Sequence, residues 1–336
     1  MKYFLSCFFK KHLLIIILII YILFKNNNNQ PIICEGIQFN APFMKPFYDK
    51  NNITIDNKNN ILIKNGKKIS FKDGLNIVGK KNISKDKHKT KIVLANNDIP
   101  TPIWYYWNND IPFNNNIGLI IKTLTFPIVI KPNSLEQGNG VHTNVLNIQD
   151  AKNIINKLLL ITNDIILENQ IKGDAHRIFI FNNEIIDCYR IHKPSIVGNG
   201  INTVSYLLDN FNNLTNNKLL NSQIDYNLIN EQGCNENTIL PNNKKIKITN
   251  IANGSVGSVA EHVHIKNIHP DNIIMFKKLT KLVSLNACGI DYITYDLSIP
   301  YYVYGNVLET NSKPGIKSHF NSNPNSIHKF LKLIKF

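Results

Sequence analysis

The chain has 336 residues, 43% of them hydrophobic, enough for two or three packed subdomains and incompatible with a wholly disordered polymer. Its 38 lysines and arginines exceed the 23 acidic residues by 15, a balance that suits nucleic acid, an anionic membrane surface or a polyanionic small molecule. No arginine-rich stripe, zinc-finger spacing or aromatic RNA-binding signature is present, and the lysine, asparagine and isoleucine excess runs through the whole chain, so nucleic acid is set aside. The five cysteines, Cys7, Cys34, Cys188, Cys234 and Cys288, are odd in number and scattered, with no CxxC pair, which points to a reducing compartment.

In chain order, Leu13 to Phe24 is an apolar stretch flanked by Lys10-Lys11-His12 and Lys25. It is short of the roughly 20 residues a bilayer span needs, but Tyr3 to Phe9 extend it if the lysines snorkel. Residues 1–34 are therefore expected to be an uncleaved membrane anchor or signal-like segment with an Asn-rich linker; the alternative is a soluble cytoplasmic protein. A small subdomain follows over 35–85, with strands at Ile61 to Ile69 and Leu75 to Val78 broken by Asn65-Gly66 and Asp73-Gly74. Ser84 to Asn96 has a helical pattern that stops before Ile99-Pro100-Thr101-Pro102, and the main domain is placed at 86–320.

Phe126 to Pro132 reads as a buried strand ending in Lys131, followed by the glycine-bearing loop Ser134 to Val141 with Gly138 and Gly140. Strand, lysine and flexible loop suit phosphate, because glycines let backbone N–H groups approach it closely. An ordinary hairpin fits the same residues. Asp150 to Ile161 reads as a helix, Ile165 to Ile171 as a strand, and Arg177 to Phe181 with Glu184 to Arg190 as a hairpin around Asn182-Asn183. Arginine within a strand suits an anion, so Arg177 and Arg190 are both expected to face phosphate, with salt bridges as the alternative. Near the end, Glu309 and Asn311 in one strand share a face, and Asp291 on a neighbour could close a set of hard oxygen ligands for magnesium. A solvated strand face is the bland alternative. Residues 321–336 are expected to form a C-terminal tail helix.

The order of motifs resembles the ATP-grasp superfamily, most closely its cyanophycin-synthetase-like branch and more distantly D-alanine–D-alanine ligase. The carriers are Ser84-Lys85-Asp86-Lys87 with Thr90-Lys91, Val129-Ile130-Lys131-Pro132 with its loop, Ile166-Leu167-Glu168, Gly173 with His176-Arg177, Glu231-Gln232-Gly233, Ala252-Asn253-Gly254-Ser255, Gly289-Ile290-Asp291, Glu309-Thr310-Asn311 and Pro314-Gly315. The resemblance implies an α+β fold of two subdomains gripping ATP. It implies that Lys87, Lys131 and the Gly138–Gly140 loop contact phosphates, and that Glu168 with the backbone of Asn169 to Ile171 holds adenine. Asp174 would stand in for a ribose ligand, because Ala175 occupies the position where relatives are acidic. Asp291, Glu309 and Asn311 would bind magnesium, as two ions, with manganese as a substitute. Arg177, Arg190, Asn253 and Ser255 would sit near phosphate or the acceptor carboxylate. The implied reaction joins a small carboxylate to the amine of an amino acid or peptide through an acylphosphate; the rival is a membrane-anchored ATP-binding scaffold or sensor without turnover. The sequence is compatible with a homo-oligomer and does not specify one.

Overall fold

The computed structural model describes residues 45–50, 52–56, 61–70, 82–108, 110, 118–120, 122–136, 138–215, 224–251 and 258–333. The expected anchor over 1–34, the strand at Leu75 to Val78, and Asn253 and Ser255 lie outside them. Among the described residues no helix is long and apolar enough to cross a membrane.

After a short helix α1 (Lys45–Lys50), strands β1 (Thr54–Asp56), β2 (Ile61–Lys64) and β3 (Lys67–Ser70) form an antiparallel three-stranded sheet. Asn65 and Gly66 turn β2 into β3 with φ of +50° and +77°, the left-handed values a two-residue hairpin needs. Helices α2 (Asn82–Lys85) and α3 (Lys87–Ala95) flank Asp86, whose carboxylate accepts from the Lys89 N–H at 3.0 Å and caps α3. The buried positions of α3 are Lys87, Thr90, Lys91 and Leu94, one helical stripe that faces two lysines inward.

The first lobe is a four-stranded antiparallel sheet in the order β4-β7-β5-β6, built from β4 (Trp104–Asn108), β5 (Ile128–Pro132), β6 (His142–Val145) and β7 (Asp164–Asn169). One face packs Ile128, Ile130, Ile165 and Leu167 against Ala151, Ile155 and Leu158 of α4 (Ile148–Leu158). The alternate residues Lys131 and Glu168 therefore point to the other face, toward α3.

The second lobe is a five-stranded antiparallel sheet in the order β12-β9-β8-β13-β14. Its inner hairpin joins β8 (Asp174–Phe181) to β9 (Glu184–His192) through Asn182 and Asn183, with φ of +48° and +63°. Between β9 and β12 (Val259–His262) sits a small unit with its own core: β10 (Ser195–Val197), α5 (Val204–Thr215), α6 (Tyr226–Glu231) and β11 (Lys245–Lys247), centred on Ile196, Val204, Ile229 and Ile246. Helix α7 (Pro270–Leu282) covers one face of the large sheet through Met275, Phe276 and Leu279. Strands β13 (Ala287–Thr294) and β14 (Asn306–Asn311) complete the sheet, followed by α8 (Ile316–Ser322) and α9 (Asn325–Leu333). In these last helices, within and beside the expected C-terminal tail helix, Phe320, Ile327, Phe330 and Leu331 are buried with Phe179, Phe181, Tyr48 and Leu62. The small N-terminal sheet adds its Leu62 to that same core.

Candidate active site

The strand register lays one row of side chains across all five strands of the second lobe: His262, Tyr189, Arg177, Asp291 and Glu309. Cross-strand partners share a face, so these groups point the same way. A second row beside it holds Asp187, Phe179, Gly289 and Asn311. Arg177 forms an ion pair with Asp291 through Nε, and the Asn311 amide donates to Asp291 at 3.2 Å. Pro314 packs over Gly289, where an added Cβ would meet Pro314 at 3.2 Å and the Arg177 guanidinium at 3.3 Å.

Two facing carboxylates on one row cannot both ionise freely. Burial, opposed by Arg177 and reinforced by Glu309, pushes the Asp291 carboxyl up to about 8. Burial also penalises the Glu309 charge, but Lys87, the hydrogen bond with Asp291, Lys131 and Arg177 outweigh it and bring Glu309 down to about 2. The two carboxyls are thus driven apart in acidity, and a bound cation would relieve the same repulsion. Two carboxylates and an amide oxygen are hard ligands of the kind magnesium takes, and Asp291, Glu309 and Asn311 fit such an ion. Among the described residues no group of three His, Cys, Asp or Glu could hold a metal, so the set stays at two carboxylates completed by Asn311.

The first lobe presents a cationic face to this row. Glu168 is 2% exposed, and its carboxylate lies between Lys131 Nζ at 2.5 Å and Lys91 Nζ at 2.7 Å. A buried carboxylate needs cations, and both oxygens of Glu168 are engaged by them. Burial lowers the Lys91 ammonium to about 8 even with Glu168 opposing, which leaves it charged at neutral pH. Lys91 also donates to Thr101 Oγ1 at 2.8 Å. Sequence reasoning took Lys87 and passed over Lys91, although the i, i+4 spacing on one helical stripe was the available signal. Lys87 donates to the carbonyls of Leu135 at 2.6 Å and Asn133 at 3.3 Å and lies 3.9 Å from Glu309, so it ties the glycine loop to β14 across the cleft. Thr310 Oγ1, bonded to Ser84 Oγ at 3.1 Å, makes a second tie beside it.

The remaining expected residues divide. Gly138 and Gly140 have φ of +76° and +70° in the connection from β5 to β6, which is the hairpin alternative. Gly140 is further required by packing, since a Cβ would come within 2.8 Å of Pro132. At the strand end after Glu168, the Asn169 N–H donates to Ile103 O at 3.0 Å and the Gln170 N–H to Pro127 O at 3.1 Å, so those two donors are engaged; Ile171 follows them, half-buried. Arg177 and Arg190, both expected to face phosphate, lie on opposite faces of the sheet and each holds a carboxylate, the salt-bridge alternative. Arg190 pairs with His176, on the opposite face from the Arg177 row, and its guanidinium is held by Asp174. The strand alternation places Ala175 with Arg177 and puts Asp174 on the face of Arg190.

No protein-family model matches the chain. The cyanophycin synthetase of Synechocystis is 27% identical over 250 residues, covering 70% of this chain and 28% of that protein. The D-alanine–D-alanine ligase of Pelagibacter ubique is 33% identical over 105 residues, 31% of this chain and 33% of that one. Among solved structures, a bifunctional glutathione synthetase from Pasteurella multocida superposes with a TM-score of 0.50 at 19% identity, over 80% of this chain and 38% of the other. The fold is ATP-grasp. The chain spans about 28% of the length of the cyanophycin synthetase it matches. In ATP-grasp terms the cleft lies between the Lys91–Glu168–Lys131 face of one lobe and the Arg177–Asp291–Glu309 row of the other.

Proposed function

We propose that this ATP-grasp chain is an ATP-dependent ligase that joins a carboxylate to an amine, converting ATP to ADP and phosphate. The observation that carries it is the opposition, across one cleft, of a buried lysine pair and a carboxylate–arginine row. Lys131 and Lys91, fixed by Glu168, present ammonium groups to the phosphates of a bound nucleotide. Magnesium held by Asp291, Glu309 and Asn311 would neutralise charge on the transferring phosphoryl group. Arg177, anchored by Asp291, keeps the rest of its guanidinium toward the space beside Gly289 and Pro314, where it suits the substrate carboxylate. That carboxylate attacks the terminal phosphorus, ADP leaves, and the amine then displaces phosphate from the acylphosphate. The start of the glycine-bearing loop, held by Lys87 at Asn133 and Leu135, would keep water from the reactive mixed anhydride. Asn253 and Ser255 keep their proposed roles on the resemblance alone, and exposed Lys313 beside Pro314 favours an acidic substrate.

The test is magnesium-dependent ADP release with and without a mixture of amino acids and short peptides, followed by mass spectrometry of the products. Stimulated ADP release with a new amide mass is expected. ATP binding without turnover on any pool would instead favour the scaffold or sensor reading.

A further inference from the structure

Arginine is scarce in this chain: two, Arg177 and Arg190, stand against 36 lysines. A lysine can neutralise a carboxylate, but the planar guanidinium fork can hold one carboxylate on one edge and offer its other edge to a second. Arg177 is placed for such divided use. Its Nε is buried against Asp291, while 23% of the side chain stays exposed.

Gly289 decides where the second edge goes. It lies within β13, paired with Phe179 of β8 on one side and Asn311 of β14 on the other. Its φ is outside the left-handed region, so the backbone does not call for glycine, and glycine inside a strand weakens it. The reason is space. A Cβ at this position would come 3.2 Å from Pro314, 3.3 Å from Arg177 Nη1 and 3.5 Å from Asn311. The first two are shorter than the roughly 3.5–4.0 Å optimum for carbon contacts. Pro314 is a buried ring that cannot swing aside, so Arg177 is the partner that has to give. Its guanidinium thus reaches from β8 over β13, into the gap that the missing side chain leaves in the row Phe179, Gly289 and Asn311.

Building on the ligase reading, we propose that Gly289 is a positioning residue: it seats Arg177 so that the guanidinium edge not held by Asp291 meets the carboxylate of the acid substrate. The lysines that face the nucleotide, Lys91 and Lys131, lie on the other lobe. A side chain at 289 therefore weakens binding of the acid and leaves ATP affinity alone.

The experiment uses the full chain with ATP, magnesium and an equimolar mixture of the twenty amino acids, and follows ADP release in the wild type, Gly289→Val, Arg177→Lys and the double variant. Valine is at home in a strand, so a role confined to strand pairing predicts no loss. The mixture concentration that half-saturates ADP release should rise about 10- to 100-fold in each single variant, while that of ATP stays within about twofold. The double variant should be no worse than either single one, because Gly289 acts through Arg177. Gly289→Ala should show the same effect in smaller measure, and it serves if the valine variant does not fold. Additive losses, an equal rise for ATP, or no rise for the mixture would overturn the proposal. A second arm needs no turnover: p-hydroxyphenylglyoxal labels arginine, and mass spectrometry reads Arg177 with Arg190 as the internal control. With ATP and magnesium present, the mixture should protect Arg177 in the wild type and not in Gly289→Val. An Arg177 that takes no label, or one that the mixture does not protect, would overturn it. Absence of stimulated ADP release in the wild type would sink the ligase reading, and protection of Arg177 would still decide this one.

Discussion

At the scale of residues, the decisive feature is a pair of facing carboxyls whose acidities are driven in opposite directions. Asp291, raised to about 8, holds in the folded state a proton that the unfolded chain releases near pH 4, so its contribution is full below that pH and lost as pH rises through 8. Glu309, lowered to about 2, contributes stability above its ordinary 4.5 and loses it as pH falls through 2. Magnesium has to displace the proton from Asp291, so its stabilising effect should be larger at pH 8.5 than at pH 6. Thermal denaturation with and without magnesium at both values checks this, and an equal shift would contradict the assignment. Glu309→Gln should reduce ADP release about 100-fold or more while the circular dichroism spectrum stays native. The shared face of Glu309 and Asn311 was legible because alternation along one strand is a property of the chain itself. Arg190 takes the face opposite Arg177 because the register pairs it with His176, which only the meeting of two strands fixes.

At the scale of elements, α3 and β7 meet through a buried charge triad. Glu168→Gln leaves Lys91 and Lys131 without their counter-charge, and breaking a buried pair of this kind costs about 3–5 kcal/mol. Urea denaturation should show a loss of that order, reduced when ATP supplies phosphate oxygens; no loss would mean the lysines find other partners. The hairpins at Asn65-Gly66 and Asn182-Asn183 were predictable because left-handed backbone there is a local preference of Asn and Gly. The burial of α9 was not. Its period-3.6 stripe reads as an amphipathic tail until the aromatic face of β8 is known to lie under it. Phe330→Ala should therefore destabilise the protein by about 3–5 kcal/mol, where a solvated tail would lose almost nothing.

At the scale of the whole molecule, two lobes with separate cores face each other and are tied by Lys87 to Glu309 and Ser84 to Thr310. A nucleotide bound between them should slow hydrogen exchange in α2, α3 and β14 together. Protection confined to the first lobe would mean that ATP does not bridge the cleft. The sequence by itself determined the α+β class and the hairpin turns at Asn65-Gly66 and Asn182-Asn183, and it put Glu309 and Asn311 on one strand face. Each of those rests on periodicity, turn chemistry or motif order within a few residues. Only the tertiary structure decided that Lys91 joins Lys131 on Glu168, that Arg177 and Arg190 part company, and that Asp187 and His319 meet 132 residues apart in the chain. Those arrangements are set by register and by packing between distant segments, which no local pattern of residues encodes.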